Sequence, residues 1–161
     1  MGAVRNADPI EQTHALWRAF LECHVRLMEL IERDIQEKQS LPLSWFEVLL
    51  FLNEVPDGAM RMQDLASRVL LSKSGLTRLV DRLEAAGLIE RRSCPADRRG
   101  TYATVTVKGR RALRESEPLV MESIKSRFLE HLTPEEGRVL ESLSRRILAA
   151  NGYSPQEPEG C

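Results

Sequence analysis

Cysteine is scarce in this 161-residue chain: Cys23, Cys94 and Cys161 lie far apart. Three scattered thiols cannot build a disulfide framework or a zinc cluster, which fits a reducing compartment. Long apolar runs are missing as well. The longest covers residues 48–52, and the opening residues 1–12 are polar with no signal-peptide core. A membrane span needs about 18 or more consecutive apolar residues, so a soluble, cytoplasmic protein with no membrane partner is expected. What is present is ordinary for a folded domain: 42% hydrophobic residues and nine glycines, in a length that suits one domain.

A net charge of −1 conceals an uneven layout. Residues 61–114 hold 13 Lys and Arg against 5 Asp and Glu, a local +8, while the rest of the chain carries 10 against 19, or −9. A basic middle between acidic ends suits a phosphate-neutralising surface on a solubilising scaffold, although a solvated helix face would give the same count.

Apolar residues in 10–39 fall at helical spacing in two adjoining rows: Leu16, Phe20, Cys23, Leu27, Leu30, and Trp17, Leu21, His24, Met28, Ile31, Ile35. The rows span about half the helix circumference, more than the ~100° stripe of a helix with one buried face, so this helix needs two partners. Residues 44–55 read as a second helix, with Ser44 and Glu47 at capping-box spacing, Pro56, Asp57 and Gly58 as the stop, and Val48, Leu49, Leu52 and Val55 facing a core. Two short helices, 62–70 and 73–86, meet at a tight turn at Leu71 and Ser72, and Gly87 stands where a C-cap glycine belongs.

Residues 88–93 and 101–107 read as strands, the second alternating Ala103, Val105 and Val107 with Thr104 and Thr106, and a charged loop from Cys94 to Gly100 joins them. Residues 108–132 return to helix, with a kink expected at Pro118. Thr133, Pro134 and Glu136 start a last helix that buries Leu140, Leu143 and Ile147, and residues 152–161 read as a disordered tail.

This order predicts a mainly α fold with a small β-hairpin wing (α+β), a winged helix-turn-helix in which the helix after the turn enters the DNA major groove. In that helix Leu76, Leu79, Val80 and Leu83 form the core stripe, leaving Ser74, Arg78 and Asp81 opposite and Thr77 and Arg82 at the edges. Lys73 and Ser74 occupy the first turn, where free amides and the positive dipole end favour a phosphate or base edge. Arg78 carries the fork that matches guanine O6 and N7, while Thr77 and Arg82 suit phosphates or a thymine methyl. At the hairpin tip, Arg98 and Arg99 suit a narrow minor groove, and Asp97 can hold one arginine pointing outward.

Asp64-Leu-Ala-Ser-Arg68, the stretch from Ser72-Lys-Ser-Gly-Leu-Thr-Arg78 to Gly87-Leu-Ile-Glu-Arg91, and Asp97-Arg-Arg99 with Val105-Thr-Val-Lys-Gly-Arg110 resemble the multiple-antibiotic-resistance regulator (MarR) family. The likeness runs by motif over about residues 43–113. It implies a bacterial or archaeal homodimeric transcription regulator, usually a repressor, binding a pseudo-palindromic double-stranded DNA operator. Segments 10–39 and 118–151 would be dimerisation helices around a DNA-binding lobe at 44–113. The resemblance adds Ser72 to the DNA-contacting set, makes Arg99 the minor-groove residue oriented by Asp97, and leaves Arg98 to a phosphate. The two apolar rows of the first helix make the same demand for a second copy.

The resemblance also implies a small aromatic or phenolic effector between the dimerisation helices and the lobe, near Trp17, Phe20, Trp45, Phe46 and Leu49; taken singly, each of these reads first as a core residue. Some relatives sense peroxide through a first-helix cysteine supported by tyrosines. The only tyrosines here are Tyr102 and Tyr153, so Cys23 reads as a buried inert thiol, with a redox-responsive regulator as the alternative. His14, His24 and His131 lack ligand spacing, and no metal or cofactor is expected. The chain carries no nucleophile elbow, phosphate loop, His-Glu-x-x-His or clustered carboxylates, which argues against an enzyme. A winged helix that binds only protein would not need the set Lys73, Arg78, Arg98 and Arg99.

Overall fold

In the computed structural model, residues 9–38, 40–69, 73–94 and 97–153 are described. The chain runs α1 (Pro9–Glu37), α2 (Leu43–Glu54), β1 (Ala59–Arg61), α3 (Met62–Arg68), α4 (Lys73–Ala85), β2 (Ile89–Cys94), β3 (Asp97–Val105), α5 (Val107–Arg127), a 3-10 turn (Leu129–His131) and α6 (Pro134–Ala150). Helices dominate and one small antiparallel sheet accompanies them, as the α+β winged-helix reading requires.

The core gathers the inner faces of α2, α3, α4, the sheet and α5. Val48, Leu49, Leu52 and Val55 of α2 pack into it with Leu65, Leu76, Leu79, Val80, Leu83 and Leu113. Four buried aliphatic side chains on α4, each contributing about 1.5 to 3 kcal/mol by leaving water, fix the rotation of that helix and hence which residues it turns outward. Its end follows the glycine signal. Gly87 takes φ +72, and the amides of Gly87 and Leu88 donate to the carbonyls of Glu84 (2.8 Å) and Leu83 (2.9 Å). Lys108 Nζ donates to the Ala86 carbonyl at 2.7 Å, setting a cation at the negative end of the helix.

The start of α2 departs from the sequence pattern. The helix begins at Leu43 with Pro42 as N-cap and no side-chain cap, so the Ser44/Glu47 box does not form. A neighbouring helix supplies the acceptor instead: the Leu43 amide donates to Glu32 Oε2 of α1 at 2.9 Å. Glu47 is half-buried, and burial together with the charge of Glu32 pushes its carboxyl up.

The sheet has three strands in the order β1-β3-β2, where two were expected, because β1 is only three residues long and too short to show an alternation. β1 pairs Met60 with Ala103 and Arg61 with Tyr102, which makes β3 the central strand. Tyr102, Ala103, Thr104 and Val105 are therefore all buried, and Thr104 does not face solvent as the alternation suggested. The strand ends at Val105, two residues before the expected limit, because the Thr106 hydroxyl caps α5. It accepts from the Gly109 amide at 3.0 Å and donates to the Gly87 carbonyl at 2.8 Å, while Val107 is exposed.

At the far end of the wing, Asp97, Arg98, Arg99 and Gly100 belong to β3 and not to a loop. The consecutive residues Ser93 and Cys94 face Thr101 and Asp97, so the ladder skips Arg98, Arg99 and Gly100. Such an irregularity is how a strand re-aims residues that a regular ladder would lay flat.

α5 contains Pro118 and ends at Arg127, short of Leu132, where the 3-10 turn intervenes. It is tied to α1 by Asp34, whose carboxylate accepts from Ser123 and Arg127, and by Lys38, whose Nζ lies 2.9 Å from Glu122. Beyond this junction the long helices project. Leu140, Leu143 and Ile147, expected to be buried by α6, are exposed, and α6 buries none of its residues. On α1 only Ile31 and Ile35 enter the core, while Leu16, Trp17, Phe20, Leu21 and Val25 face solvent. No described residue covers these faces of α1 and α6. Α6 is opened by the expected signal: the Thr133 hydroxyl accepts from the Glu136 amide, and Glu136 accepts from the Thr133 amide at 2.8 Å. Of the expected tail, residues 154–161 lie outside the described residues.

Candidate nucleic-acid interface

Because Leu76, Leu79, Val80 and Leu83 are buried, α4 turns Ser74, Thr77, Arg78, Asp81 and Arg82 to solvent. Arg78 and Arg82 lie one turn apart, and Ser74 precedes Arg78 by another, so hydroxyl and guanidinium groups share one outer face. Lys73 is the first residue of α4, and Asp97, Arg98 and Arg99 sit at the start of β3; Ser72 and the side chains of these four lie outside the described part of the molecule.

An arginine that the sequence pattern did not single out organises this face. Arg91 of β2 lies alongside the row Thr77, Asp81, Glu84. Its Nη2 donates to Asp81 Oδ1 at 2.6 Å and reaches the Thr77 carbonyl at 3.5 Å, and its Nη1 pairs with Glu84 Oε2. The Arg91 amide also donates to Glu84 Oε1 at 3.0 Å. Partial burial works against the charge of Arg91, but the bonds it donates to Asp81 and Glu84 and their negative charges outweigh it and hold its pKa above the ordinary arginine value. The clue in the sequence is two carboxylates at i and i+3 on a helix meant for phosphates, followed after a glycine stop by a strand bearing arginine.

Other basic residues of the +8 segment hold the lobe together. Arg61 Nε donates to the Tyr102 hydroxyl at 2.6 Å with its guanidinium 5.7 Å from the ring centre. Arg68 pairs with Glu54 at 3.1 Å and lies over Phe51, and Arg110 donates to Asn53 at 2.7 Å. Part of the basic excess is thus structural; among the described residues Arg78 and Arg82 of α4, Arg92 of β2, and Arg111 and Arg114 of α5 are exposed.

The expected effector residues do not converge. Phe46 and Leu49 are in the core and Trp45 is half-buried, whereas Trp17 and Phe20 stand exposed on α1, stacked with ring centres 5.8 Å apart. An open surface depression of about 680 Å³ runs along α1, lined by that helix alone through His14, Trp17, Arg18, Leu21, Val25 and Arg26 with Glu22 and Glu29; of the five expected residues it includes Trp17 alone. Cys23 is exposed on α1, not buried, because no described residue packs over the helix face carrying it. Tyr102 is engaged in the sheet with Arg61. Among the described residues no group of three His, Cys, Asp or Glu could hold a metal ion, and no helix is long and apolar enough to cross a membrane.

A helical core, a second helix presented to solvent by its buried leucines, and a three-stranded wing beside it define a winged helix-turn-helix regulator. The MarR family model matches residues 39–100. The HTH-type transcriptional regulator YkoM of Bacillus subtilis is 31% identical over 131 residues, 81% of this chain and 82% of that one. AbsC, a MarR family transcriptional regulator from Streptomyces coelicolor, is 32% identical and superimposes with a TM-score of 0.81 over 93% of this chain and all of that one. Sco3205, a MarR family regulator of the same organism solved in complex with DNA, is 29% identical with a TM-score of 0.79 over 90% of this chain and 94% of that one. The chain belongs to the MarR family of transcriptional regulators, a family of regulators and not of enzymes.

Proposed function

We propose that the protein is a homodimeric, sequence-specific double-stranded DNA-binding repressor that places α4 in the major groove and the β2–β3 wing against the flanking minor groove. The observation that carries this reading is the division of α4 into a buried row, Leu76, Leu79, Val80, Leu83, and an outward row, Ser74, Thr77, Arg78, Arg82. Arg78 reads a base edge, guanine by its bidentate geometry. Ser72, Lys73, Thr77, Arg82 and Arg98 hold phosphates, and Arg99, oriented by Asp97, enters the minor groove. The DNA complex of Sco3205 supports the assignment of duplex DNA as the ligand.

The uncovered apolar faces of α1 and α6 support a dimer. Leu16, Trp17, Phe20 and Leu21 on one helix and Leu140, Leu143, Ile147 and Leu148 on the other form an exposed surface that a second copy buries. The two-fold axis then sets two α4 helices one or two DNA turns apart on a pseudo-palindromic operator. A dimer seated on promoter DNA excludes polymerase, hence repression. A small aromatic ligand that prefers one lobe spacing would release it. Cytoplasmic residence follows from that role.

A fluorescence-anisotropy titration with duplexes from the upstream region of its own coding sequence tests the reading. Arg78→Ala should weaken the tightest complex by about 1 to 3 kcal/mol and relax preference at one base pair of each half-site. Arg99→Ala should weaken binding without altering stability. Equal affinity of wild type and both variants on every duplex contradicts it.

A further inference from the structure

We propose that Arg91 is a positioning residue of the DNA-reading surface, masking the two carboxylates of α4 from phosphates and locking the wing strand to the recognition helix as one body. The inference rests on the reading that α4 enters DNA.

Thr77, Asp81 and Glu84 follow one another at i, i+4 and i+7, so they form a single row along α4 beside the row of Arg78 and Arg82. Two carboxylates on that row stand next to the guanidinium groups assigned to DNA. Unmasked, they would repel the phosphates that those arginines attract, within a distance that salt does not screen, since the Debye length is about 8 to 10 Å at physiological ionic strength.

Arg91 meets both. One guanidinium nitrogen takes Asp81 and the Thr77 carbonyl, the other takes Glu84, and the backbone amide of the same residue takes the second oxygen of Glu84. Its side chain is 26% exposed, so the fork is mostly covered, while Asp81 remains 57% exposed on the outer face. A lysine would serve one carboxylate as a point charge; the planar fork serves both and fixes their geometry. Because Arg91 belongs to β2, three residues before the strand ends at Cys94, the same contacts set the angle at which the wing leaves the helix. Helix and wing reach DNA in different grooves, and their relative placement decides which sequences both engage at once.

The two effects separate by charge. In Arg91→Met the guanidinium is lost and both carboxylates are bared. In Asp81→Asn/Glu84→Gln the carboxylates are neutralised and the guanidinium is released. In the triple variant Arg91→Met/Asp81→Asn/Glu84→Gln all three charges are gone. The full-length proteins are titrated by anisotropy against the tightest duplex recovered from a random pool by wild type and against an unrelated duplex, with melting recorded alongside. Arg91→Met should lose about tenfold or more on both duplexes. The triple variant should recover affinity for the unrelated duplex to the wild-type level or above, yet keep a reduced ratio of specific to non-specific binding, because the lock is absent. The double variant, which leaves Arg91 in place and serves if Arg91→Met does not fold, should bind the unrelated duplex more tightly than wild type and discriminate less.

A purely structural Arg91 would lower melting while leaving the discrimination ratio intact in every folded variant, and that result overturns the inference. Unchanged discrimination in the double variant does the same while leaving the DNA reading in place. Failure of wild type to select any duplex removes the DNA reading itself.

Discussion

Protonating or replacing Asp34 should loosen the joint between the long first helix and the DNA-binding lobe. The Asp34 carboxylate accepts from Arg127 Nε at 2.8 Å and Ser123 Oγ at 2.9 Å through one oxygen, and from Arg127 Nη2 at 2.9 Å through the other. The bonds from Arg127 act most strongly; burial opposes them, and Ser123 and the positive charges of Arg127 and Arg33 add to them, so the carboxyl falls from 3.8 to about 2. At ~1.4 kcal/mol per pH unit this amounts to about 2.5 kcal/mol. The Arg127 side chain is 39% exposed against 14% for Asp34, so solvent screens the pair and about 1 to 2 kcal/mol is expected. A folded-state pKa below the unfolded value stabilises the protein above about pH 4, and that contribution disappears as pH falls through about 2.

Urea unfolding of wild type and Asp34→Asn at one fixed protein concentration, from pH 7 down to pH 2, measures the difference between them. The variant should be less stable by about 1 to 2 kcal/mol at pH 7, and the gap should close between about pH 4 and 2. A gap that stays constant through this range, or no gap at neutral pH, refutes the clasp as an electrostatic joint.

Gly109→Ala should destabilise the lobe by about 2 to 4 kcal/mol in calorimetry, because a Cβ there would lie 2.1 Å from the Leu88 carbonyl oxygen, a backbone atom that cannot rotate away. Thr104→Val should raise stability by up to about 1 kcal/mol, since the buried Thr104 hydroxyl has no hydrogen-bond partner among the described residues and valine keeps the shape. Leu143→Glu combined with Leu21→Glu should halve the sedimenting mass while leaving the circular-dichroism helix signal of the lobe unchanged, as both leucines are exposed in the single chain.

The parts of the fold that were legible in the sequence are those in which local chemistry decides. The leucine row of α4, Gly87 after it, and the Thr133–Glu136 box each act within a few residues, and each stands as read. Where another element supplies the partner, the pattern misleads. Glu32 of α1 takes over the capping of α2 from Ser44, and β1, three residues long, encloses β3 and buries Thr104. Leu140, Leu143 and Ile147 are apolar at helical spacing, yet no described residue buries them, since periodicity reports a face and not what lies against it. In the candidate site the outward residues of α4 could be read from spacing alone. Arg91 could not, because its partners Asp81 and Glu84 are brought to it by the fold of β2 back along the helix.

If two copies join through α1 and α6 as proposed, their paired α4 helices read one duplex. Sedimentation velocity on the full-length chain, alone and with a labelled duplex from its own upstream region, tests both halves together. The free protein should sediment at twice the 18.3 kDa of one chain, and one such pair should load per duplex, with affinity falling steeply as salt rises. A single-copy species at micromolar concentration, or a pair that ignores every upstream duplex, contradicts it.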